Sequence, residues 1–237
     1  MNYHSFFWLH IKKSAGQSTR NLLHPHYIEV DRSKKPKNFI QSQPEEYNDV
    51  LNNYRVVLGD YQFKRALFAK KYLYAENWNS IFSFAFSREP VSRCVSMFYY
   101  LHYKEKSSFE KIYQAAKSLK NQKKIGLSVS YDFDIFLELV EIAHFQSESN
   151  YSPAGLHFSA HTAPMFEDIT DKEGNILLKK VYRLEQLNEG INQALEICGL
   201  TPINSTESKI YRNKNDKKGT YQPTSLQNIK IAKLYPH

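Results

Sequence analysis

The residues whose types and spacing best suit chemistry lie close to the start of the chain. The apolar run at residues 6–11 is followed by the sequence KKSAGQST at residues 12–19. A turn of small and hydroxyl residues that leads into a helix can offer backbone N–H groups and the positive helix end to an anion. A lysine at the mouth of that turn adds a point charge. The segment therefore predicts a phosphate-binding loop formed by Lys13, Ser14, Ala15, Gly16, Gln17 and Ser18.

Local evidence leaves a second interpretation of this segment open. A Walker A loop needs a Gly, four residues and then Gly-Lys-Ser/Thr, whereas here Lys13 precedes Gly16. This order weakens the case for an ordinary ATPase. The plainer alternative is a strand–turn–helix connection with a capping serine and an exposed lysine.

A second segment places an arginine at the carboxyl end of another apolar run. Residues 80–87 predict a buried strand, and Pro90 suits the first turn of the helix that follows. Arg88 would lie where open α/β sheets bind their ligands, and Ser96 lies about two helical turns further on. An arginine fork and a serine hydroxyl can together hold a second phosphate group. The alternative is that Arg88 pairs with Glu89 and that Ser96 bonds only its own helix.

Taken together, the two segments resemble the sulfotransferases that use 3'-phosphoadenosine-5'-phosphosulfate (PAPS), and most closely the branch of Golgi glycan O-sulfotransferases and their bacterial relatives. That family opens with a strand and a Pro-Lys-Thr-Ala-Gly-Thr-Ser loop. Residues 12–18 match this loop, with Lys12 for Pro, Ser14 for Thr and Gln17 for Thr. The family's second signature, Arg-Asp-Pro followed by a serine on the next helix, corresponds to Arg-Glu-Pro at residues 88–90 and to Ser96.

The resemblance continues along the chain. Residues 165–166, a turn at residues 171–175 and residues 176–178 predict a hairpin through Gly/Asn turn chemistry. Residues 181–187 are similar to the family's strand that ends in Glu-x-Leu before a helix. Residues 204–205 and 226–235 are similar to its C-terminal loop and helix. The similarity covers most of the chain in order, although only the two phosphate segments are specific.

The resemblance implies roles for both segments. Lys13 would stabilise the bridging and leaving oxygens of PAPS, and the N–H groups of residues 14–18 would hold its 5'-phosphate. Arg88 and Ser96 would hold the 3'-phosphate, which distinguishes PAPS from ATP. The resemblance implies no metal, because these donors replace the magnesium of a kinase.

The acceptor hydroxyl needs a general base, and the histidine that many family members use is missing. They carry it after a glycine on the strand that corresponds to residues 55–59, where residues 59–61 here are Gly-Asp-Tyr. Asp60 is therefore the preferred candidate by position. His157 matches a histidine of the glycan-type members, and His161 stands where those members usually carry Gln. The predicted catalytic residues are Lys13, Asp60 and His157, with His161 as a further candidate.

Composition favours anionic ligands without separating their classes. The 237 residues include 32 Lys and Arg against 24 Asp and Glu, a net charge of +8, and the pI is about 9.2. Such a balance suits a nucleotide, a polyanionic glycan, a nucleic acid or an acidic membrane. Nucleic-acid binding would need aromatic residues interleaved with a basic stripe on one sheet face. Because the aromatic residues at 84, 86, 98 and 136 fall at core positions, we expect no nucleic-acid partner.

The remaining sequence features favour a cytoplasmic protein. Cys94 and Cys198 lie far apart and predict ordinary thiols without a disulfide framework, and no paired Cys or His spacing suggests zinc. The N-terminus lacks the pattern of a secretory leader, and no run of about 18 apolar residues could span a membrane. We therefore expect a soluble, cytoplasmic chain without the membrane anchor of the family's Golgi members.

The order of the predicted elements indicates an α/β fold. The predicted strands are 4–11, 27–30, 55–59 and 80–87, and the predicted helices are 17–24, 64–71, 90–103, 108–120 and 132–145. The resemblance adds a strand within 181–187 and a helix within 226–235. Alternating strands and helices are typical of a parallel sheet with helices on both faces. We expect a P-loop-like parallel sheet of this kind with a small β-hairpin elaboration, in a single sulfotransferase-like domain over residues 1–237.

Several interpretations stay open on sequence alone. A P-loop-type nucleotide kinase or other phosphotransferase would need magnesium ligands and a standard loop, and neither is visible. A non-catalytic nucleotide-binding relative would keep the fold and lack the base, which fits the missing histidine. The basic segments 117–124 and 209–218 are either solvated surface or, for the second, the loop that the family closes over the cofactor. The expected acceptor is a hydroxyl of a glycan or small molecule, most simply a carbohydrate.

Overall fold

A computed structural model describes residues 6–27, 40, 42–52, 58–104, 128–145, 155–203 and 221–236. Its strands are β1 (Phe6–Leu9), β2 (Phe82–Ser87) and β3 (Lys180–Arg183). Its α-helices are α1 (Gly16–Leu23), α2 (Tyr47–Asn52), α3 (Arg65–Phe68), α4 (Pro90–Tyr99), α5 (Val129–Phe145), α6 (Leu156–Thr162), α7 (Met165–Ile169), α8 (Leu187–Ile197) and α9 (Ser225–Leu234). Short 3₁₀ turns occupy His24–His26, Pro44–Glu46, Gly59–Tyr61, Ala75–Asn79 and Leu184–Gln186, and π-helical turns occupy Ala69–Tyr74 and Tyr100–Lys104.

The chain divides into two compact units. The sheet unit comprises Met1–Ser87 and Met165–Arg212, and the helical unit comprises Arg88–Pro164 and Asn213–His237. The single domain expected over residues 1–237 stays a prediction. Each unit is described below by itself.

The sheet unit is built on a parallel sheet whose described strands have the order β1-β2-β3. Phe6 of β1 is opposite Phe82 of β2, and Phe84 of β2 is opposite Lys180 of β3. Strands buried on both faces are typical of parallel sheets covered by helices. This arrangement explains why β1 is a continuous apolar run and why Ser83 and Ala85 of β2 are buried together with Phe84.

Helices cover both faces of this sheet. On one face, Phe6, Trp8 and Phe84 pack with the apolar side chains of α1 and α8, among them Leu23 and Ile191. On the other face, the core is formed with side chains of α2, α3 and the turns after α3, namely Phe7, Leu9, Ala85, Leu51, Phe68, Tyr74 and Trp78. The predicted α/β class, a parallel sheet flanked by helices on both faces, is therefore confirmed.

Two asparagines of α2 bond to the edge of β1 that faces away from β2. Asn48 Oδ1 accepts from the Trp8 N–H at 3.0 Å, and Asn52 Oδ1 accepts from the His10 N–H at 2.7 Å. The Asn52 amide also donates to the Trp8 carbonyl at 2.8 Å. These side chains satisfy backbone groups that would otherwise need a neighbouring strand. They also fix the end of β1, from which the predicted phosphate loop departs.

The structure refines several predicted boundaries. The predicted helix 64–71 is α-helical only over Arg65–Phe68 and continues as a π-helix to Tyr74, and the predicted helix 90–103 changes to a π-helix after Tyr99. Gly59, predicted at the end of a strand, instead begins a 3₁₀ turn with φ of 56°. That positive φ suits glycine and ends any extended conformation there.

The predicted hairpin near residue 170 is shorter than expected. Residues 165–169 form the helix α7, and the turn is closed by a single antiparallel bridge between Thr170 and Ile176. Asp171 Oδ1 accepts from the N–H groups of Glu173 and Asn175, and Gly174 has φ of 87°. The turn chemistry was therefore predicted correctly, whereas the strand before it was wrong.

The helical unit has its own core, formed by α4, α5, α6 and α9. Its buried side chains are mostly aromatic and aliphatic, among them Met97, Phe98, Phe133, Phe136, Phe158 and Ile231. Phe98 contacts Phe133 edge-on with ring centroids 5.2 Å apart, a favourable geometry for aromatic pairs. The core holds the described helices of this unit together without any strand.

Some predictions concern parts of the chain outside the described residues. These are residues 28–30 and 55–57 of two predicted strands, the predicted helix 108–120, the loop residues 204–205 and the basic segments 117–124 and 209–218.

Candidate functional site

The predicted phosphate loop has an unusual backbone in the structure. Lys13 and Ala15 have φ of 66° and 56°, the left-handed region, whereas Ser14 between them does not. Left-handed conformations at residues other than glycine cost about 1–3 kcal/mol each and cluster at functional sites. Alternation between right- and left-handed residues also turns successive N–H groups toward one side, where they can bind an anion.

The start of α1 carries no side-chain cap. The N-cap residue is Ala15, and no side-chain hydrogen bond caps the helix, so the serine cap of the plainer alternative is not formed. The N–H groups of residues 15–18 have no carbonyl four residues earlier within the helix. The Ser14 N–H already donates to the Ile11 carbonyl at 3.3 Å. Helix geometry thus leaves the N–H groups of residues 15–18, rather than 14–18, best placed for a phosphate.

Gly16 is required by the packing of His10. A Cβ atom built on Gly16 would lie 1.6 Å from Nε2 of His10. The His10 ring is in turn stacked on Trp8, with centroids 5.4 Å apart and planes at 23°. Any larger residue at position 16 would therefore displace this ring or the start of α1.

Lys12, which precedes the loop lysine, is buried within the sheet unit. It is 5% exposed, and its Nζ donates to the Asn52 carbonyl at 3.0 Å. Burial first, and then the neighbouring Arg65 guanidinium, lower the pKa of Lys12 to about 7 against the opposing effect of Asp168. Of the two adjacent lysines, Lys12 is buried and bonded to the end of α2, and Lys13 is the more exposed one.

A buried ion pair fixes the chain just before the loop. Arg65 Nε and Nη2 donate to the two carboxylate oxygens of Asp168 at 2.8 and 2.6 Å. Arg65 Nη2 also donates to the His10 carbonyl at 3.0 Å. Removing one partner of such a pair leaves a buried charge and costs about 3–5 kcal/mol. Arg65 therefore ties α3 and α7 to the backbone that leads into Lys13.

The burial of Lys12 predicts a specific pH dependence of stability. Between pH 7 and 10.5 the unfolded chain holds a proton on Lys12 that the folded chain has released, so the free energy of unfolding rises with pH. Relative to Lys12→Met, we expect the wild type to gain up to about 1.4 kcal/mol per pH unit over this interval. Urea unfolding of both proteins at several pH values measures the difference.

The matched control for this prediction is Lys233→Met, which changes an exposed lysine on α9. Its stability difference from the wild type should be flat over the same pH interval. If the free energies of unfolding of Lys12→Met and the wild type change in parallel with pH, Lys12 does not have the lowered pKa of a buried lysine.

The second phosphate segment begins the helical unit. Glu89 is the N-cap of α4, and its carboxylate accepts from the N–H groups of Val91 and Ser92 at 2.8 and 2.6 Å. Pro90 follows at the first helical position, where its missing N–H is harmless. The acidic residue of the Arg-Glu-Pro sequence thus has a capping role, which either Asp or Glu can fill.

Arg88 extends along the first turn of α4. Its Nε donates to the Ser92 hydroxyl at 2.9 Å. Ser96 is one turn further along the same helix face and is 8% exposed. Arg88 therefore contacts the side of α4 on which Ser96 lies, and binding of one phosphate by both residues stays a prediction.

The three candidate proton acceptors have different surroundings. Asp60 is exposed in the 3₁₀ turn Gly59–Tyr61 of the sheet unit. His157 and His161 belong to α6 of the helical unit, with ring centroids 4.3 Å apart. His161 is 4% exposed and stacks on Tyr100 at 5.0 Å. Its Nδ1 lies 2.8 Å from the His157 carbonyl oxygen. The two histidines thus lie together in the helical unit, whereas Asp60 lies in the sheet unit.

Sequence reasoning missed Arg93 and the pair Arg65–Asp168. Arg93 is 2% exposed and lies four residues before the buried Met97 on α4. An arginine at a core position of an amphipathic helix was a usable signal, because charged residues are almost never fully buried unless they are paired. Arg65 and Asp168 are 103 residues apart, and no local pattern links them.

The described residues contain no helix that is both long and apolar enough to cross a membrane. Among the same residues, no three His, Cys, Asp or Glu side chains lie close enough to hold a metal ion. Cys94 and Cys198 are both free thiols.

The described fold is an α/β fold with a parallel sheet. Between β1 and α1 it has a turn in which Lys13 and Ala15 have left-handed backbone conformations. A family model described as "Sulfotransferase family" matches residues 2–235. The chain therefore belongs to the sulfotransferase family and is a transferase. Searches of curated proteins and of solved structures each returned no match.

Proposed function

We propose that this protein transfers a sulfuryl group from PAPS to a hydroxyl of a glycan or small-molecule acceptor. The observation that carries the proposal is the loop at Lys13 and Ala15, left-handed at both residues and followed by a helix without a side-chain cap. Such a start presents backbone N–H groups and the positive end of a helix, where a phosphate is favoured. Membership of the sulfotransferase family supports PAPS as the compound that carries this phosphate.

In this proposal, each phosphate of PAPS has its own set of residues. The N–H groups of residues 15–18 and the hydroxyls of Ser14 and Ser18 suit the 5'-phosphate. Arg88, held against Ser92, and Ser96 suit the 3'-phosphate, because an arginine fork matches phosphate oxygens. PAPS would supply an activated sulfuryl group on a good leaving phosphate. No metal enters the proposed site.

The chain's own residues then have two tasks in the transfer. Lys13 would donate to the oxygen that bridges sulfur and phosphorus as the bond between that oxygen and sulfur breaks and negative charge develops on it. A general base would take the proton of the acceptor hydroxyl as the new S–O bond forms. We keep Asp60 as the proposed base, with His157 and His161 as the alternatives.

The acceptor is proposed to be a carbohydrate hydroxyl, and the location cytoplasmic. The net charge of +8 supports an anionic or nucleotide-linked ligand. Two free thiols, one of them buried, agree with a reducing compartment.

Radiolabelled PAPS tests the reaction directly. The purified protein is incubated with labelled PAPS and a panel of neutral and acidic oligosaccharides, a lipid-linked sugar and small hydroxylated metabolites. Label transfer to any acceptor supports the proposal. Phosphoryl transfer from ATP and Mg²⁺ instead would identify a kinase. Tight binding of 3'-phosphoadenosine 5'-phosphate without any transfer would identify a nucleotide-binding protein.

Arg88→Ala should reveal how the 3'-phosphate is recognised. We expect binding of 3'-phosphoadenosine 5'-phosphate to weaken about tenfold or more, because one charge-assisted hydrogen bond contributes about 1.5–3 kcal/mol. Adenosine 5'-phosphate lacks the 3' group, so its affinity should hardly change. Calorimetric titration of both nucleotides measures this. Equal losses for the two ligands would assign Arg88 to another part of the nucleotide.

A further inference from the structure

The C-terminal end of α6 is bonded by three side chains from three other segments of the helical unit. Arg93 Nη2 donates to the carbonyl oxygens of His161 at 3.1 Å and Ala163 at 2.9 Å. The Tyr235 hydroxyl donates to the Thr162 carbonyl at 2.6 Å. His144 Nε2 contacts the same Thr162 oxygen at 2.9 Å. We call Arg93, His144 and Tyr235 the carbonyl clamp.

Arg93 and Tyr235 of the carbonyl clamp are buried and His144 is half-buried, and both Arg93 and His144 pack against the Tyr235 ring. Arg93 and Tyr235 are 2% and 5% exposed. The Arg93 guanidinium lies 5.6 Å from the centre of the Tyr235 ring, and His144 meets that ring edge-on at 5.2 Å. Burial lowers the pKa of His144, and a carbonyl only accepts, so His144 acts here as a neutral donor. A single cation at the negative end of a helix is favourable.

The segment that the clamp holds carries both candidate histidines. Since the His157 carbonyl can only accept, His161 Nδ1 carries the proton in their 2.8 Å contact. In the neutral imidazole, Nε2 of His161 is then the atom able to accept a proton. The backbone of α6 therefore decides which nitrogen of His161 is basic, and the clamp fixes the end of that backbone.

The clamp also connects α6 to the helix of the second phosphate segment. Arg93 lies on α4, three residues before Ser96 and five after Arg88. Residues three apart on a helix are neighbours on its surface. The helix that is proposed to hold the 3'-phosphate thus also holds α6 through Arg93.

We propose that Arg93, Tyr235 and His144 are positioning residues that hold α6 so that the His161 imidazole keeps one tautomer and one orientation. This inference rests on the proposed function, in its alternative form in which a histidine of α6 is the general base. The clamp touches neither substrate nor reacting atoms. Its effect on catalysis passes through the two histidines.

The test uses Arg93→Met, which keeps an unbranched stem without donors, together with Arg93→Lys and Tyr235→Phe. Imidazole nitrogen NMR signals report the His161 tautomer independently of activity. The wild type should have Nδ1 protonated and Nε2 unprotonated in its neutral form. In Arg93→Met the two tautomers should mix, Tyr235→Phe should give a smaller change, and Arg93→Lys should restore part of the wild-type pattern.

Kinetics supply the second readout. We expect kcat for sulfate transfer to fall about tenfold or more in Arg93→Met, because small displacements of reacting groups slow transfer strongly. The Kd for 3'-phosphoadenosine 5'-phosphate should stay within about threefold of the wild type, since Arg88 and Ser96 are untouched. Ile231→Val, a core change on α9, is the control for general loss of stability and should leave the tautomer unchanged.

Each result decides a separate point. If folded Arg93→Met has the His161 NMR signals and the kcat of the wild type, the inference is wrong. It is also wrong if Ile231→Val shows the tautomer change that is expected for Arg93→Met. If Arg93→Met does not fold, an unchanged tautomer in Tyr235→Phe overturns it and a changed one supports it. If the wild type transfers no sulfate, the proposed function fails, and the NMR comparison still decides whether the clamp sets the tautomer.

Discussion

Lys13→Ala is expected to lower the turnover of sulfate transfer about 10²–10³-fold, the loss seen when one donor to a developing negative charge is removed. The affinity for 3'-phosphoadenosine 5'-phosphate should fall far less, because the N–H groups of residues 15–18 remain. Steady-state kinetics with a verified acceptor give kcat, and calorimetry gives the affinity of the nucleotide.

The control for this prediction is Lys70→Ala, an exposed lysine in the π-helix of the sheet unit. It removes the same charge from the sheet unit at a position outside the loop, so its kcat should match that of the wild type. If Lys13→Ala has a normal kcat and only a raised KM, Lys13 contributes to substrate binding and not to stabilisation of the transition state.

Removal of the general base is expected to have a comparably large effect. If Asp60 accepts the proton, Asp60→Asn should lower transfer about 10²–10⁴-fold, the usual contribution of general base catalysis, and leave nucleotide binding intact. The wild-type rate should rise with pH through one carboxylate-like ionisation, because only the ionised form accepts a proton. A pH–rate profile and a binding titration of the variant measure both.

The alternatives predict a different profile. A base from α6 would place the ionisation at about pH 6–7, the usual range for imidazole, and His157→Gln or His161→Gln would then be the inactive variant. Asp60→Asn is the matched control in that case. Near-normal rates for all three substitutions would show that the proton acceptor lies elsewhere.

The elements that sequence could predict are those whose pattern is local. The apolar residues 6–9 predicted β1, because a strand buried on both faces needs no alternation. The phenylalanine-rich residues 81–86 predicted β2. Pro90 marked the start of α4, and Gly174 with Asp171 marked the turn near residue 170. Likewise, the small residues after Lys13 were sufficient to predict a loop and the helix α1.

What sequence could not predict depends on contacts between distant residues. The bonds of Arg65 to Asp168 and to the His10 carbonyl exist only once α3, α7 and β1 are packed together. The carbonyl clamp similarly joins Arg93 to a helix about 70 residues later in the chain. Residues 165–169 were predicted as strand because two apolar residues preceding a turn are compatible with either conformation.

The asparagines of α2 have a consequence for how this protein behaves at high concentration. A strand at the end of a sheet offers unpaired N–H and C=O groups on which another molecule can add its own strand. Along β1 these groups are already taken by Asn48 and Asn52, through bonds of 2.7–3.0 Å at Trp8 and His10. Among the described strands β1 lies at the end of the sheet, and the two amides therefore leave fewer of its backbone groups available for pairing between molecules.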